Sequence, residues 1–505
     1  TLSPLNNLVN VIDPITGRRR DIYGGLVFAG ENGAPTQQGG TRPMQVSPRI
    51  GGAYTISEGL VLRGGWGIYV SPWNYPAAAT TNWAQYGFSA TTTLQQSSAG
   101  VPITSLADPF PGGFVQPTGS SLGLLTNVGQ ATNVFFPDRG TPKAYQYSAD
   151  IQKELPHGIM VGIGYTGLSG RNLPYLGSIN INQLDPKYQT SGLNMLQSVP
   201  NPFFGVSQAG GFSTRQTIEL GQLLRPYPQF GDVLWQGATG ARSQYHALVL
   251  QGRRRTDNVW GVNVNYTFSR LNDNQFGQGN FYSSSPGVQN NYPLIPWSEY
   301  YNPDAEYSRS LLDSPHKLVV APTLMVPFGQ GKRWLNDSAW ADAILGGWSI
   351  TAVAQFQSGF PIGVNQQVNG TQFLFGGSIR PNLVPGVPVV ADGNITSRIE
   401  SNPNDNQYFN TAAFQAVPIN QFGNAPRTLP GVLSPRRTAF SMSAAKQVNL
   451  PGRAFLSLRV ELLNPLNIVQ WQAPASVAFG NPNFGQLREQ ANTMRSVQFT
   501  LRASF

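Results

Sequence analysis

The last ten residues, 496–505, constrain this chain more than any other stretch, because polar and apolar residues alternate there without a break. A strand repeats every two residues. Val497, Phe499, Leu501, Ala503 and Phe505 therefore share one face, and Ser496, Gln498, Thr500, Arg502 and Ser504 the other. A strand of this kind separates an apolar medium from water, and an aromatic residue finishes it with no polar tail.

The same pattern recurs along the chain. Candidate strands occupy 21–29 (DIYGGLVFA), 47–56, 60–70, 144–153, 159–167, 243–253, 259–269, 316–326, 348–357, 437–445, 454–463 and 494–505. In 259–269, Trp260, Val262, Val264, Tyr266 and Phe268 face one way, and Gly261, Asn263, Asn265, Thr267 and Ser269 the other. The connections alternate between short and long. Ser57-Glu58-Gly59, Leu155-Pro156-His157 and Thr256-Asp257-Asn258 are short, whereas 71–140, 168–240 and 359–435 are long. Counting back from Phe505, every short turn falls at one end of the strands and every long loop at the other. That asymmetry predicts an all-β fold, an antiparallel up-and-down transmembrane β-barrel with about 12 strands and long extracellular loops. Residues 337–345, in a connection of medium length, could form a turn or two of helix.

Composition agrees. Charged residues make up 11% of the chain, against roughly 25% in ordinary soluble proteins; polarity comes from Asn, Gln, Ser and Thr. No run approaches the roughly 18 apolar residues of a transmembrane helix. Trp66, Tyr69, Trp73, Trp260, Tyr266, Phe268, Trp348, Phe356 and Phe360 lie on or near strand ends, where interfacial aromatics are favoured. A soluble β-sandwich would bury them instead, but connections this long are rare in compact soluble domains. The absence of cysteine excludes disulfides, thiolate metal sites and cysteine nucleophiles.

Several segments resemble the barrel of TonB-dependent outer-membrane receptors, in particular the Oar-like branch: PRIGGAY (48–54), VLRGGWGIYV (61–70), LGGWSITAVAQFQSGFPI (345–362), YFNTAAF (408–414), FGNAPR (422–427) and LRVELLNPLN (458–467). The closing SVQFTLRASF is similar to the signal by which such barrels are recognised for insertion, which would rest on Val497, Phe499, Leu501 and Phe505. As an ordered set the segments are specific to the branch, not to a substrate. The resemblance implies a chain that is the C-terminal part of an outer-membrane β-barrel domain over 1–505, without plug domain or signal peptide. The missing strands would complete a barrel of about 22. It also implies as partners outer-membrane lipid and lipopolysaccharide, the barrel-assembly machinery, an unknown solute, and TonB through the missing plug segment.

Other chemistries find less support. Gly162-Ile163-Gly164-Tyr165-Thr166-Gly167 matches a dinucleotide fingerprint, but inside an alternating strand with no helix to follow; its lumen-facing glycines would make room instead. His157, His246 and His316 lack partners at metal spacing. Asp304, Glu306 and Asp313 could set hard oxygens for calcium, or serve as rim salt bridges. The net charge of +9 suits an anionic membrane surface. The basic runs at 18–20, 253–255 and 436–437 lack the interleaved aromatics of a nucleic-acid site and suit lipid headgroups or rim pairing. We expect no enzyme, no catalytic residues, no metal, no cofactor and no nucleic-acid partner.

The expected function is uptake of a bulky, scarce solute (an iron chelate, a vitamin, an oligosaccharide or a peptide) by an integral protein of the bacterial outer membrane. The alternatives are a non-transporting surface or adhesion barrel, or a passive pore. Trp73, Tyr75, Trp83 and Tyr86 are candidate ligand contacts in the first long loop, or else pack that loop on itself. Arg63, Asp150, Gln152, Gln355, Arg459 and Glu461 are expected to line a wet lumen.

Overall fold

The structure, a computed structural model, describes the chain except residues 32, 37–43, 72–85, 94–96, 99–100, 103, 106, 138–139, 176–178, 256–258, 275–300, 330–331, 338, 368–378, 420 and 451–453. Its main feature is a twelve-stranded sheet. In chain order the strands are β1 (Arg49–Ser57), β2 (Leu60–Val70), β3 (Lys143–Leu155), β4 (Ile159–Pro174), β5 (Thr239–Arg254) and β6 (Trp260–Asp273). They continue with β7 (Ser308–Arg309), β8 (His316–Met325), β9 (Trp348–Gln357), β10 (Arg437–Asn449), β11 (Phe455–Leu463) and β12 (Ser496–Ser504). Sequence neighbours are sheet neighbours from β12 down to β1, and the two-residue β7 extends the sheet beside the tip of β6. The pairings along this path are antiparallel, which gives an up-and-down wall.

Register shows why the wall suits two media. One row of directly paired residues runs Val61, Gln152, Gly162, Gln251, Asn265, Val319, Gln355 and Ala439. The next row, one residue along and so on the opposite face, runs Leu62, Ile151, Ile163, Leu250, Tyr266, Leu318, Phe356 and Thr438. A slip of one residue in any strand would exchange the rows, so burial of the apolar face in lipid fixes the register. The apolar row belongs outward and the amide-rich row inward.

At one end of the wall the strands are joined through residues 58–59, 156–158, 255–259, 326–347 and 450–454, the same end at which β12 finishes. The last of the medium connection folds as a short helix, α1 (Ala339–Leu345), within the stretch expected to be helical. At the other end lie the connections 71–142, 175–238, 274–315, 358–436 and 464–495, whose described residues build a roof.

One feature departs from the expectation. Residues 21–29 do not join the wall. Ile22 is buried in the roof, where its N–H donates to Asn6 Oδ1 (2.8 Å) and its carbonyl accepts from Ser3 N (2.8 Å). Gly24 then turns the chain with a φ of +83°, its bare Cα close to the Tyr227 ring. A left-handed residue breaks the alternation that the surrounding apolar residues suggest. The wall does not close on itself: among the described residues β1 pairs only with β2, and β12 only with β11.

Candidate functional site

The inner face of the wall carries the polar residues singled out from the sequence. Arg63 stands directly opposite Asp150, and its Nη1 donates to Gln152 Oε1 on the adjoining row (3.3 Å). Gly162 and Gly164 lie across from Gln152 and Asp150, and a side chain at either would press on those two. Farther round, Gln355 donates to Gln357 (3.0 Å), and Arg459 stands 3.7 Å from Glu461 on one strand. Arg63, Asp150, Gln152, Gln355, Arg459 and Glu461 thus share the inner face, in two groups on well-separated strands.

The roof is where this protein buries its apolar side chains. Among the described residues, buried apolar side chains lie in the connections and in the segment before β1, apart from Ala241 and Ala247 on β5. One core brings together Leu5, Val11 and Ile22 from the first segment, Val128 from the connection after β2, and Phe203, Phe212, Leu223 and Phe230 from that after β4. A second joins Ile362, Phe409, Phe414 and Leu429 to Val477 and Phe484, with ring centroids 5.0 Å apart for Phe414 and Phe484. Phe422 packs on a third core around Leu184, Tyr188 and Leu224, tying the connections after β4 and β9 together.

Little regular structure surrounds these cores, so backbone polar groups need other partners. Buried amide side chains supply them. Asn182 Nδ2 donates to the carbonyls of Tyr227 (2.9 Å) and Gly231 (2.7 Å), while its Oδ1 accepts from Tyr227 N (2.8 Å). Gln222 donates to the carbonyls of Pro228 (2.9 Å) and Phe230 (2.7 Å), and Gln229 to that of Tyr23 (2.8 Å). Arg20 of the first basic run reaches the Leu223 carbonyl (2.6 Å), which makes that run a loop clasp.

Buried charges lock the roof to the wall. Arg427, 1% exposed, pairs with Asp273 at the tip of β6 and donates through Nε to the Glu306 carbonyl (2.9 Å). Arg380 pairs with Glu306, and burial holds its guanidinium below its usual basicity while Glu306 works the other way. Arg309 pairs with Asp313, whose other oxygen accepts from Leu271 N (2.8 Å). Asp304 pairs with Arg242 at 2.9 Å. The acidic residues considered as calcium ligands each face an arginine, and no group of three His, Asp or Glu side chains among the described residues is placed to hold a metal. Elsewhere Arg225 pairs with Asp232 (3.2 Å), its basicity lowered chiefly by burial. Burial also pushes the phenols of Tyr175 and Tyr188 up to about 12, and Tyr188 Oη donates to Asp13 Oδ2 (3.1 Å).

The segments resembling a receptor barrel therefore have identifiable work. YFNTAAF supplies Phe409 and Phe414 to the second core, and Asn410 caps the turn between them by accepting from Ala412 N (3.1 Å). FGNAPR supplies Arg427, and Asn424 Oδ1 accepts from Leu383 N (2.7 Å). Of the candidate ligand aromatics, Tyr86 accepts a hydrogen bond from Asn133 N (2.7 Å) through its hydroxyl, whereas Trp73, Tyr75 and Trp83 lie outside the described residues. Sequence reading missed Asn182, Gln222, Gln229, Arg225, Arg380 and Arg427, because a buried Asn or Arg in an aperiodic loop looks like an exposed one.

On the outward face, Trp260 and Trp348 sit at the short-turn end, with Phe268 and Phe356 toward the roof. Arg254 lies 3.9 Å above the Trp260 ring, as an interfacial cation would. Tyr69 is different: it turns inward under Arg49 (4.5 Å). Two histidines join the outward rows, with His246 Nδ1 2.6 Å from Tyr165 Oη and His316 Nδ1 2.8 Å from Tyr266 Oη. Val497, Phe499 and Leu501 project outward along β12.

Comparison with known proteins supplies the context. A family model described as an outer membrane beta barrel domain matches residues 3–498. No curated protein sequence matches. Among solved structures, the outer membrane transporter YddB from Escherichia coli is 8% identical, with a TM-score of 0.40 over 91% of this chain and 40% of its own. The ferripyoverdine receptor of the outer membrane of Pseudomonas aeruginosa is 9% identical, with a TM-score of 0.36 over 90% of this chain and 32% of its own. The ferric-catecholate import receptor Fiu from E. coli K12 is 9% identical, with a TM-score of 0.34 over 96% of this chain and 40% of its own. The chain spans about two fifths of the length of YddB and Fiu. With an amide-lined inner face, an apolar outer face, a roof over one end and a family match across nearly its whole length, the chain belongs to the outer membrane β-barrel domain family and is an integral protein of the bacterial outer membrane.

Proposed function

We propose that this chain forms wall and roof of a TonB-dependent receptor of the Oar-like branch, which takes up a bulky, scarce solute such as an iron chelate, a vitamin, an oligosaccharide or a peptide. The observation that carries the reading is a polar wall face beneath a roof built as one piece, with cores shared between connections and buried arginines anchoring it. A passive pore needs no such roof. Capture belongs to the connections 71–140, 168–240 and 359–435, with Trp73, Tyr75, Trp83 and Tyr86 as candidate contacts. The unpaired edges of β1 and β12 support the domain reading: an unsatisfied backbone group in hydrocarbon costs several kcal/mol. Further strands would satisfy both edges, and TonB would act through a plug inside the completed barrel.

Uptake by cells carrying or lacking the gene tests this, with each solute class offered at limiting concentration and with the proton gradient intact or collapsed. Gene-dependent uptake that stops on collapse is the expected result. Gene-dependent entry that survives collapse would make the protein a passive pore. No gene-dependent entry of any solute, together with binding of the cells to a surface or to other cells, would make it an adhesion barrel.

A further inference from the structure

The connection between β8 and β9 folds with its apolar side outermost. On α1, Trp340, Ala343 and Ile344 occupy i, i+3 and i+4 of one face, and Trp340 and Ile344 are 68% and 61% exposed. The acid of the same helix turns the other way: Asp342 packs against Gly329 and Gly346, where no side chain would fit. Trp334 and Leu335 add exposed apolar surface beside it. In water this arrangement is inside out.

The helix end is prepared for an apolar setting. Lys446 Nζ donates to the carbonyls of Asp342 (2.9 Å) and Ala343 (2.7 Å), and Trp348 Nε1 to that of Ile344 (2.9 Å). Carbonyls that a helix C-terminus leaves to water are thus satisfied by side chains, and the ammonium meets the negative end of the helix dipole. Lys446 and Trp348 are directly paired on the outward rows of β10 and β9, so the helix is pinned against the lipid-facing side of the wall at its short-turn end. Lys332 and Arg333 are exposed next to Trp334, with the Arg333 guanidinium 5.2 Å from the Trp334 ring, against one exposed acid, Asp337.

We propose that the described residues of 332–345 form a foot that lies in the periplasmic leaflet of the outer membrane, with Trp334, Trp340 and Ile344 among the acyl chains and Lys332 and Arg333 at the phospholipid phosphates. Two observations select lipid as the occupant: the foot is continuous with the lipid-facing band, and it pairs apolar surface with flanking cations, as interfacial helices do. The foot fixes the depth and rotation of β8 and β9 in the bilayer.

The cysteine-free chain allows a direct test. Nitroxide labels are attached to Ile344→Cys and Ala343→Cys in full-length protein in phospholipid bilayers, with Val264→Cys on the outward wall and Asn404→Cys in the roof as lipid and water references. Collisions with oxygen and with a water-soluble nickel chelate are then compared. The foot is supported if both helix labels favour oxygen over the chelate at least several-fold, as Val264→Cys does. Chelate-dominated collisions at both, like those at Asn404→Cys, overturn it while leaving the wall in lipid. Immobilised labels shielded from both reagents also overturn it, in favour of a protein cover. A water-like Val264→Cys would overturn the placement of the wall itself.

Discussion

On β5, Leu248 turns outward between Tyr165 and Phe268, and its neighbour Val249 turns inward between Gly164 and Thr267. In the roof, Phe409 has no such choice: Phe414 and Phe484 surround it, at 5.8 and 5.3 Å between ring centroids. Wall and roof belong to one chain, yet they are held together differently. The wall's backbone groups pair across strands, and its apolar face relies on the bilayer. The roof has no such solvent and buries its own apolar side chains, at the cost of orphaned backbone groups that Asn182, Gln222 and Gln229 then satisfy. Low charge with abundant amides therefore serves two ends, a wet lining below and side-chain hydrogen bonding above.

Removing a charge from the roof is the strongest way to separate the two regions. Arg427→Met strands Asp273 and two buried carbonyls, so we expect the roof to lose about 3–5 kcal/mol. Protease cleavage within 358–436 should rise sharply while heat-modifiable migration of the barrel persists; loss of both together would show that wall and roof fold as a single unit. The converse is Val264→Arg, which places a cation on the outward row midway between Trp260 and Phe268 and should cost about 2–4 kcal/mol near the bilayer midplane, read by urea unfolding in lipid vesicles. Asn265→Arg, one residue along, faces water between Gln251 and Val319 and should change the midpoint little. Equal effects at 264 and 265 would contradict the two-media reading of the rows.

Alkali should act on the roof first. Tyr175 and Tyr188 have pKa values raised to about 12 by burial, so the folded state favours the neutral phenol. Their contribution is complete below the unfolded value of about 10 and is lost as pH rises through about 12. Protease accessibility of 175–238 should therefore increase between pH 10 and 12 ahead of any change in strand signal. The smallest effect belongs to Tyr86→Phe. It removes one acceptor from Asn133 N and should weaken the roof by about 0.5–1.5 kcal/mol. A larger loss of solute binding than of roof stability would mark Tyr86 as a ligand contact as well.

The wall could be read in advance because a two-residue period needs no knowledge of neighbours. Trp260 to Phe268 show their faces by alternation alone, and pairing with β5 and β8 only confirms them. The roof could not be read this way. Residues 21–29 carry enough apolar side chains to pass for a strand, and only the left-handed Gly24 and the contact of Ile22 with Asn6 show otherwise. Arg427 and Arg18 are alike in sequence, and what buries one is a carboxylate 154 positions away. Conformation in the roof depends on distant partners, and no local pattern records them.

The double attachment of Arg427 has a mechanical consequence. Together with Arg380 it joins the connection after β9 to residues 303–309, and through Asp273 to the top of β6. Neither connection can be displaced alone without pulling a buried ion pair apart. A load applied to either connection is thus shared between them and passed in part to the top of β6.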